Sequence, residues 1–445
     1  MARESNQPLR PGFKLVLGLA ALVLLGSLAL MLPGVSTRQL SFSEASFTAV
    51  SALSVTGLSV ITPSQDLTLT GQLVLLGLIQ IGGVGYMVLA VTAFRLLGRN
   101  IRLVDRLALK DSLGLLSPGG VVELARQILR TVLLIELLGA VALWIAWRGA
   151  MPEGKAMFFG MFHAVSAFCN AGFDLFSGHP EHLEGLPRDT ATLGIIGTLI
   201  YLGGLGIPVL FDMATWKSRR HFSLHTKITV PLTLTLVLAG GLAFYLSEGL
   251  TTGVLEGASE EDALVMSFFQ SVSFRTAGFV GVPNFENIEA SSQLVGTSLM
   301  FIGCAPASMG GGITTGTFAT LIIALIAYAR GRETPIFRGR AIPGEMVRKA
   351  AAVLTISLLV VLSATWVLSL THGQGLRLIG FEVVSAFATC GLSLGMTSEL
   401  STFGRLVIMI VMFWGRLGAL TVFVSFAAAR VPRRVFYPEE KILIG

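Results

Sequence analysis

The sequence predicts an all-α, polytopic membrane protein with eight spans, arranged as four similar units about one axis. Three observations predict it. The chain of 445 residues is 53% hydrophobic and only 13% charged, about half the charge of an average soluble protein. A soluble domain of this size could not cover its surface with so few charges, and the long apolar runs match membrane helices. A short motif is written four times, once per quarter of the chain: FTAVSALSVTG from Phe47 to Gly57, FHAVSAFCNAG from Phe162 to Gly172, FFQSVSFRTAG from Phe268 to Gly278 and FEVVSAFATCG from Phe381 to Gly391. Finally, Lys and Arg gather in alternate connectors.

Each quarter reads as a long apolar helix, a shorter apolar segment ending at the repeated glycine, and a second long helix. The predicted ranges are 14–33, 43–55 and 71–97; then 129–148, 155–169 and 190–216; then 228–247, 262–274 and 291–329; and finally 347–371, 376–389 and 402–429. The run from Leu15 to Leu32 follows Arg3, Arg10 and Lys14 but lacks an A-x-A cleavage pattern, so it reads as a retained helix and not a removed leader. Long segments exceed the ~20 residues needed to span a bilayer and the short ones do not. A short segment between two spans is a re-entrant candidate, which must be buried in protein or line a water-filled cavity.

Charge sets the orientation. Eight spans put both termini on one side, and that side holds most of the 32 Lys and Arg, in the N-terminal segment, the connectors 95–130, 217–227 and 330–349, and the tail from Arg430 to Lys441. The positive-inside rule makes it cytoplasmic. The opposite loops are acidic, with Glu44, Asp66, Asp174, Glu181, Glu184, Asp189, Glu248, Glu256, Glu260, Glu261, Asp262, Glu286, Glu289 and Glu399. An acidic rim would concentrate cations, although any one of these groups is also an ordinary solvated loop charge. The net charge of +6 is a topology signal, not a nucleic-acid signal. Cys169, Cys304 and Cys390 sit in apolar or Gly-rich surroundings without metal-ligand or disulfide spacing and read as small buried residues.

A re-entrant helix entering from outside leaves the negative end of its dipole near mid-membrane. The chain must return outward as extended backbone, and glycine tolerates the turn and the close approach that this needs. Four copies about an axis predict a ring of carbonyls, which can replace the hydration shell of a monovalent cation. The residues before the glycines differ (Thr56, Ala171, Ala277 and Cys390), so any shared chemistry lies in the backbone. Single glycines of this kind often serve helix packing; four recurrences, each with a Phe at the same upstream spacing, point beyond packing.

A second glycine feature follows each motif: Gly82-Gly-Val-Gly85, Gly203-Gly-Leu-Gly206, Gly310-Gly-Gly312 and Gly415-Arg-Leu-Gly418. In the third quarter Pro306 and five glycines between Gly303 and Gly316 cannot make a clean helix interior, so a mid-membrane break is expected there. Arg416 stands where the other quarters have glycine. An intramembrane Arg should face a cavity or pair with carbonyls, which suggests a gate made of 303–316 and anchored by Arg416. The run from Gly149 to Ala156 nearly matches a phosphate-binding loop but lacks the magnesium-binding Ser or Thr. His163 reads as a packed or hydrogen-bonded side chain. Glu136 and Asp212 read as intramembrane acids or as partners of a nearby base. No paired catalytic groups at matched depth support an intramembrane enzyme. A secondary transporter with two inverted repeats fits four same-orientation units less well than a channel-like pore.

The sequence resembles the membrane subunit of the Ktr/Trk/HKT superfamily of potassium transporters, most closely the bacterial KtrB type, over almost the whole chain. The carriers are Val55-Thr-Gly-Leu58, Asn170-Ala-Gly-Phe173, Arg275-Thr-Ala-Gly-Phe279, Thr389-Cys-Gly-Leu-Ser-Leu-Gly395, Gly310-Gly-Gly-Ile313 and the ending from Glu440 to Gly445. The resemblance implies four membrane–pore-helix–membrane (M1-P-M2) repeats around one pseudo-fourfold pore, at 1–100, 101–220, 221–335 and 336–445. It implies a potassium filter at the carbonyls of Val55, Thr56, Gly57, Asn170, Ala171, Gly172, Thr276, Ala277, Gly278, Thr389, Cys390 and Gly391. The implied gate residues are Gly310, Gly311, Gly312, Thr314, Thr315 and Arg416. The implied partners are a second copy of the chain, joined through the C-terminal tail, and a cytoplasmic ring of KtrA/TrkA-type (RCK) subunits that would bind ATP or ADP, or NAD. The implied location is the cell membrane. Glycine at all four filter positions matches potassium-selective relatives, and the sequence leaves open whether sodium also travels. Ile313-Thr314-Thr315 departs from relatives that carry Lys after the Ile.

Overall fold

The computed structural model describes residues 11–85, 121–178, 185–216, 221–250 and 253–418, and these are almost wholly helical. In chain order the helices are α1 (Pro11–Leu30), α2 (Phe42–Ser54), the single turn α3 (Pro63–Asp66), α4 (Leu69–Val84), α5 (Val121–Trp147), α6 (Glu153–Phe168), α7 (Thr190–Leu205), α8 (Ile207–Ala214), α9 (Leu224–Phe244), α10 (Glu260–Ser273), α11 (Ala290–Ile302), α12 (Thr315–Ala329), α13 (Gly344–Thr371), α14 (Leu376–Ala388) and α15 (Thr402–Leu417). A two-stranded hairpin, Ile336–Phe337 with Arg340–Ala341, lies between α12 and α13.

Side-chain caps set several helix starts. Ser41 and Glu44 form a reciprocal capping box on α2. Thr68, Asp189, Ser223, Ser259 and Ser401 accept from the third helical N–H of α4, α7, α9, α10 and α15. The long helices leave apolar side chains outside: Leu133, Leu134, Leu137 and Leu138 on α5, and Leu359, Leu362 and Trp366 on α13. Apolar surface on the outside and buried Ser, Thr, His and Glu on the inside reverse the soluble pattern.

The short helices α2, α6, α10 and α14 are the inner layer, and almost every residue in their second halves is buried. Each packs along the long helix that precedes it: α1 with α2, α5 with α6, α9 with α10 and α13 with α14. The helix that follows packs on the next short helix in turn: α4 on α6, α7 on α10, α11 on α14 and finally α15 back on α2. This last contact closes the layer on itself. Phe47, Phe162 and Phe381, the repeated upstream residues, are fully buried anchors. The third copy differs: Phe268 is half-buried and its neighbour Phe269 is the one in the core.

Among the described residues three helical stretches are long and apolar enough to cross a membrane, Arg126–Trp147, Leu224–Gly249 and Gly344–Thr371, or four if α7 and α8 count as one. The unbroken helix expected over 190–216 is corrected, because α7 and α8 meet at Gly206 with a bend of 99°. Gly206 has φ +84°, which glycine alone adopts freely, and Pro208 sits in the first turn of α8 as a helix starter. The break expected at 303–316 is present, with α11 ending at Ile302 and α12 beginning at Thr315. Both α4 and α15 end at a positive-φ glycine as well, Gly85 and Gly418. The expected continuations 86–97 and 419–429, the tail ending at Gly445, most of the connector 98–128, Glu181, Glu184, Lys217, Arg219 and Arg220 lie outside the described residues.

Candidate functional site

Each short helix ends in the same unusual way. Val55, Asn170, Thr276 and Thr389 have φ of +57°, +56°, +68° and +52°. Among the described residues only eight non-glycine positions have positive φ; these are four of them, and Ala307 and Thr314 in the 303–314 loop are two more. The left-handed region is poorly accessible to β-branched residues such as Val and Thr, so the surrounding structure imposes it. Two residues later come Gly57, Gly172, Gly278 and Gly391, with φ of +89°, +68°, +78° and +93°. Each predicted filter triad therefore begins and ends in the left-handed region.

These glycines form a closed circuit. A Cβ on Gly57 would collide with the Ala171 carbonyl oxygen, one on Gly172 with that of Ala277, one on Gly278 with that of Cys390, and one on Gly391 with that of Thr56. The twelve predicted filter residues are thus brought together, each copy against the next, with the last against the first. No side chain fits at any of the four glycines. The carbonyl of the residue before each glycine, whether that residue is Thr, Ala or Cys, lies against the glycine of the neighbouring copy.

Each motif also carries a serine midway, Ser51, Ser166, Ser273 and Ser385. Ser166 Oγ donates to Phe173 O at 2.8 Å, Ser273 Oγ donates to Phe279 O at 2.5 Å, and Ser385 Oγ accepts from Gly391 N at 3.1 Å. They tie α6, α10 and α14 to the chain of their own triads and the return from them, whereas the corresponding Ser51 Oγ on α2 is buried without a partner among the described residues. Further from the triads, His163 Nδ1 donates to Phe159 O at 2.7 Å and Nε2 lies 3.1 Å from Asp174 Oδ1. Glu382 accepts from Ser393 at 2.7 Å and from Thr397. His163 is therefore a hydrogen-bonded brace, one of the two roles expected of it. A cavity of about 580 Å³ opens beside Gly172 and Gly278, among the segments returning from the second and third triads, with Asp174, Glu286 and Ser393 in its wall.

The second glycine set explains itself against the helix ends. A Cβ on Gly82, Gly203 or Gly415 would strike the carbonyl of Leu53, Phe168 or Phe387, each two residues before a triad. Gly310 packs on Thr276 Oγ1, and Gly311 packs on Ala388 and Thr389. The 303–314 loop thus lies directly against the third and fourth triads. Its backbone is held by Ala305 N and Met309 N donating to Gly204 O and Gly203 O, and by Ile207 N donating to Ala307 O. Thr314, φ +73°, caps α12, and Thr315 N donates to Cys304 O at 2.9 Å. Arg416 donates to Met309 O at 2.6 Å, to Gly83 O at 3.0 Å and to Gly82 O. The guanidinium joins the loop to the end of α4 through carbonyls alone.

Several acids have local duties. Arg38 lies 2.8 Å from both Glu44 and Asp66, and its hydrogen bond holds the Glu44 carboxyl down at about 2. Asp189 caps α7, Asp262 bonds Ser259, and the buried Glu248 accepts from Val254 N and Glu289 N. Glu136 accepts from Gln80 at 3.0 Å, and Asp212 accepts from Ser223 N and Thr226 Oγ1 at the start of α9. Cys169, Cys304 and Cys390 are buried free thiols.

Comparison with known proteins places this geometry. The model of the TrkH family, described as cation transport protein, matches residues 15–433. The chain is 38% identical to the Ktr system potassium uptake protein B of Bacillus subtilis, over 97% of this chain and 96% of that one. It is 33% identical to the potassium/sodium uptake protein NtpJ of Enterococcus hirae, over 100% and 99% of the two chains. The crystal structure of the potassium transporter TrkH from Vibrio parahaemolyticus has the same fold, with a TM-score of 0.74 over 96% of this chain and 87% of that one at 21% identity. With a family model spanning nearly its whole length, this chain belongs to the TrkH family of cation transport proteins, which are membrane transporters and not enzymes.

Proposed function

We propose that this protein takes up potassium across the cell membrane through a channel-like pore enclosed by one chain. The observation that carries the proposal is the closed circuit of glycine-to-carbonyl contacts linking Gly57, Gly172, Gly278 and Gly391. In this reading the short helices are pore helices and the chain is four M1-P-M2 repeats, 1–100, 101–220, 221–335 and 336–445, with eight spans and both termini cytoplasmic. Four helix C-termini aim their negative ends at one axis. Backbone carbonyls of Val55 to Gly57, Asn170 to Gly172, Thr276 to Gly278 and Thr389 to Gly391 replace the water around a dehydrating cation. An anion meets the wrong end of every dipole.

The 303–316 loop, with Gly310, Gly311, Gly312, Thr314 and Thr315, is the gate in this reading. Its position against the third and fourth triads supports the role, as does its anchorage by Arg416. Opening requires the loop to exchange its carbonyl contacts with Arg416 for others. A second copy of the chain and a cytoplasmic nucleotide-binding ring of the KtrA/TrkA type would bias that exchange. The names of the relatives support potassium as cargo, and NtpJ brings sodium into the test.

Rubidium uptake into proteoliposomes under an imposed inside-negative voltage, with and without sodium, tests the proposal. Uniport gains about 2.3 kcal/mol per 100 mV for each charge moved. Wild type should accumulate rubidium, and Gly57→Ser and Gly391→Ser should lose preference for it over sodium while still assembling. Wild-type selectivity in both variants would mean that the filter lies elsewhere.

A further inference from the structure

A second cavity lies apart from the four triads. It is a cleft of about 490 Å³ between α9 and α12. It lies near Lys227, some 20 Å along α9 from Gly240, the residue that touches Ser271 behind the third triad. Leu232, Phe318, Ile322 and Ile326 form its walls, and the outer faces of Ile322 and Ile326 continue into the exposed Leu325. Pro231 stands in the wall, and its missing N–H leaves the Lys227 carbonyl without a helical donor. Lys227, Arg330, Arg332 and Arg338 stand at the mouth. No carboxylate lines the cleft, and among the described residues none of the four cations has an ion-pair partner.

We infer that this cleft is a binding site for one anionic phospholipid, with an acyl chain between α9 and α12 and the phosphate among the four cations. The shape and the charge ask for the same molecule. The walls are mainly apolar, with Thr235 the one neutral polar side chain, and open toward the lipid-facing surface, so an acyl chain enters at little cost in polar desolvation. The mouth concentrates uncompensated positive charge on the side where the basic connectors gather, and anionic lipid is the abundant negative partner of such clusters. A zwitterionic headgroup would bring its own cation into the cluster. The inference depends on the membrane placement of the chain and not on the identity of the filter.

Native mass spectrometry of the purified full-length protein, exchanged into phosphatidylglycerol or phosphatidylcholine with identical acyl chains, tests it. The expected result is one phosphatidylglycerol retained per chain. Each single change among Lys227→Gln, Arg330→Gln, Arg332→Gln and Arg338→Gln should weaken retention roughly fivefold, and the quadruple variant should abolish it. Ile322→Trp, which fills the cleft and keeps every charge, should also abolish it, and glycerol phosphate without acyl chains should fail to compete. Equal retention of phosphatidylcholine, or phosphatidylglycerol kept by the quadruple variant or by Ile322→Trp, would overturn the site. Competition by glycerol phosphate would make it a free-phosphate site and overturn the lipid assignment. Protection of the four cations only by an added regulatory ring, with lipid retention unchanged by their neutralisation, would make it a protein contact. Because charge and volume are changed in separate variants, a folding failure in one leaves the other to decide.

Discussion

Val55, Asn170, Thr276 and Thr389 hold a backbone conformation that costs about 1–2 kcal/mol at each non-glycine residue. Strain repeated at four equivalent places is what a ring built from carbonyls requires, because no side chain could make four unlike triads equivalent. Thr389→Gly should therefore keep cation selectivity and change stability by less than about 1 kcal/mol, since relief of strain and the greater freedom of the unfolded chain oppose each other. Gly391→Ala should do the opposite: its Cβ enters the Thr56 carbonyl, and selectivity should fall. Flux ratios for rubidium over sodium in the two variants separate these outcomes. Arg416 makes a different prediction. Hydrogen bonds from a charged donor are worth about 1.5–3 kcal/mol each, and it makes one to the loop and two to α4. Arg416→Gln should raise rubidium flux measured without any regulatory ring; unchanged flux would remove this residue from the gate.

At the scale of the element, glycines that look alike in the sequence separate by what lies beside them. Gly194 has open space at its Cβ position within α7, whereas Gly203 in the same helix faces the Phe168 carbonyl. Gly194→Ala should stabilise by about 0.5–1 kcal/mol, and Gly203→Ala should impair folding; thermal denaturation of the detergent-solubilised protein checks both. Much of the site could be read in advance. The four triads announce themselves by repetition, and the break after Ile302 by Pro306 among glycines. The bend at Gly206 could not be read from hydrophobicity, because 190–216 is continuously apolar and its glycines each cost a helix only ~1 kcal/mol. The deciding contact is tertiary, Ile207 N donating to Ala307 O of the broken loop; the local signal was Pro208, which starts a helix more readily than it continues one. The local duties of the acids could not be read either: Asp174, Asp189 and Glu248 are charges in the sequence, and the fold also employs them as braces and caps.

For the whole molecule, closure of α15 on α2 means that one chain completes the ring. In the proposed pore, a partner copy would contribute a neighbouring pore and not part of this one. When an inactive filter variant is co-expressed with wild type, flux should fall linearly with the inactive fraction. A fourth-power fall would show a ring shared among chains and would overturn the single-chain pore. The unlike triads have one more consequence. In a ring of four identical subunits, one missense change is printed four times and the whole filter shifts at once. Here the coding sequence holds four separate copies of the motif, so one mutation edits a single quadrant while three ancestral ones persist. With the triads as the proposed filter, ion preference in such a lineage would drift by small heritable steps.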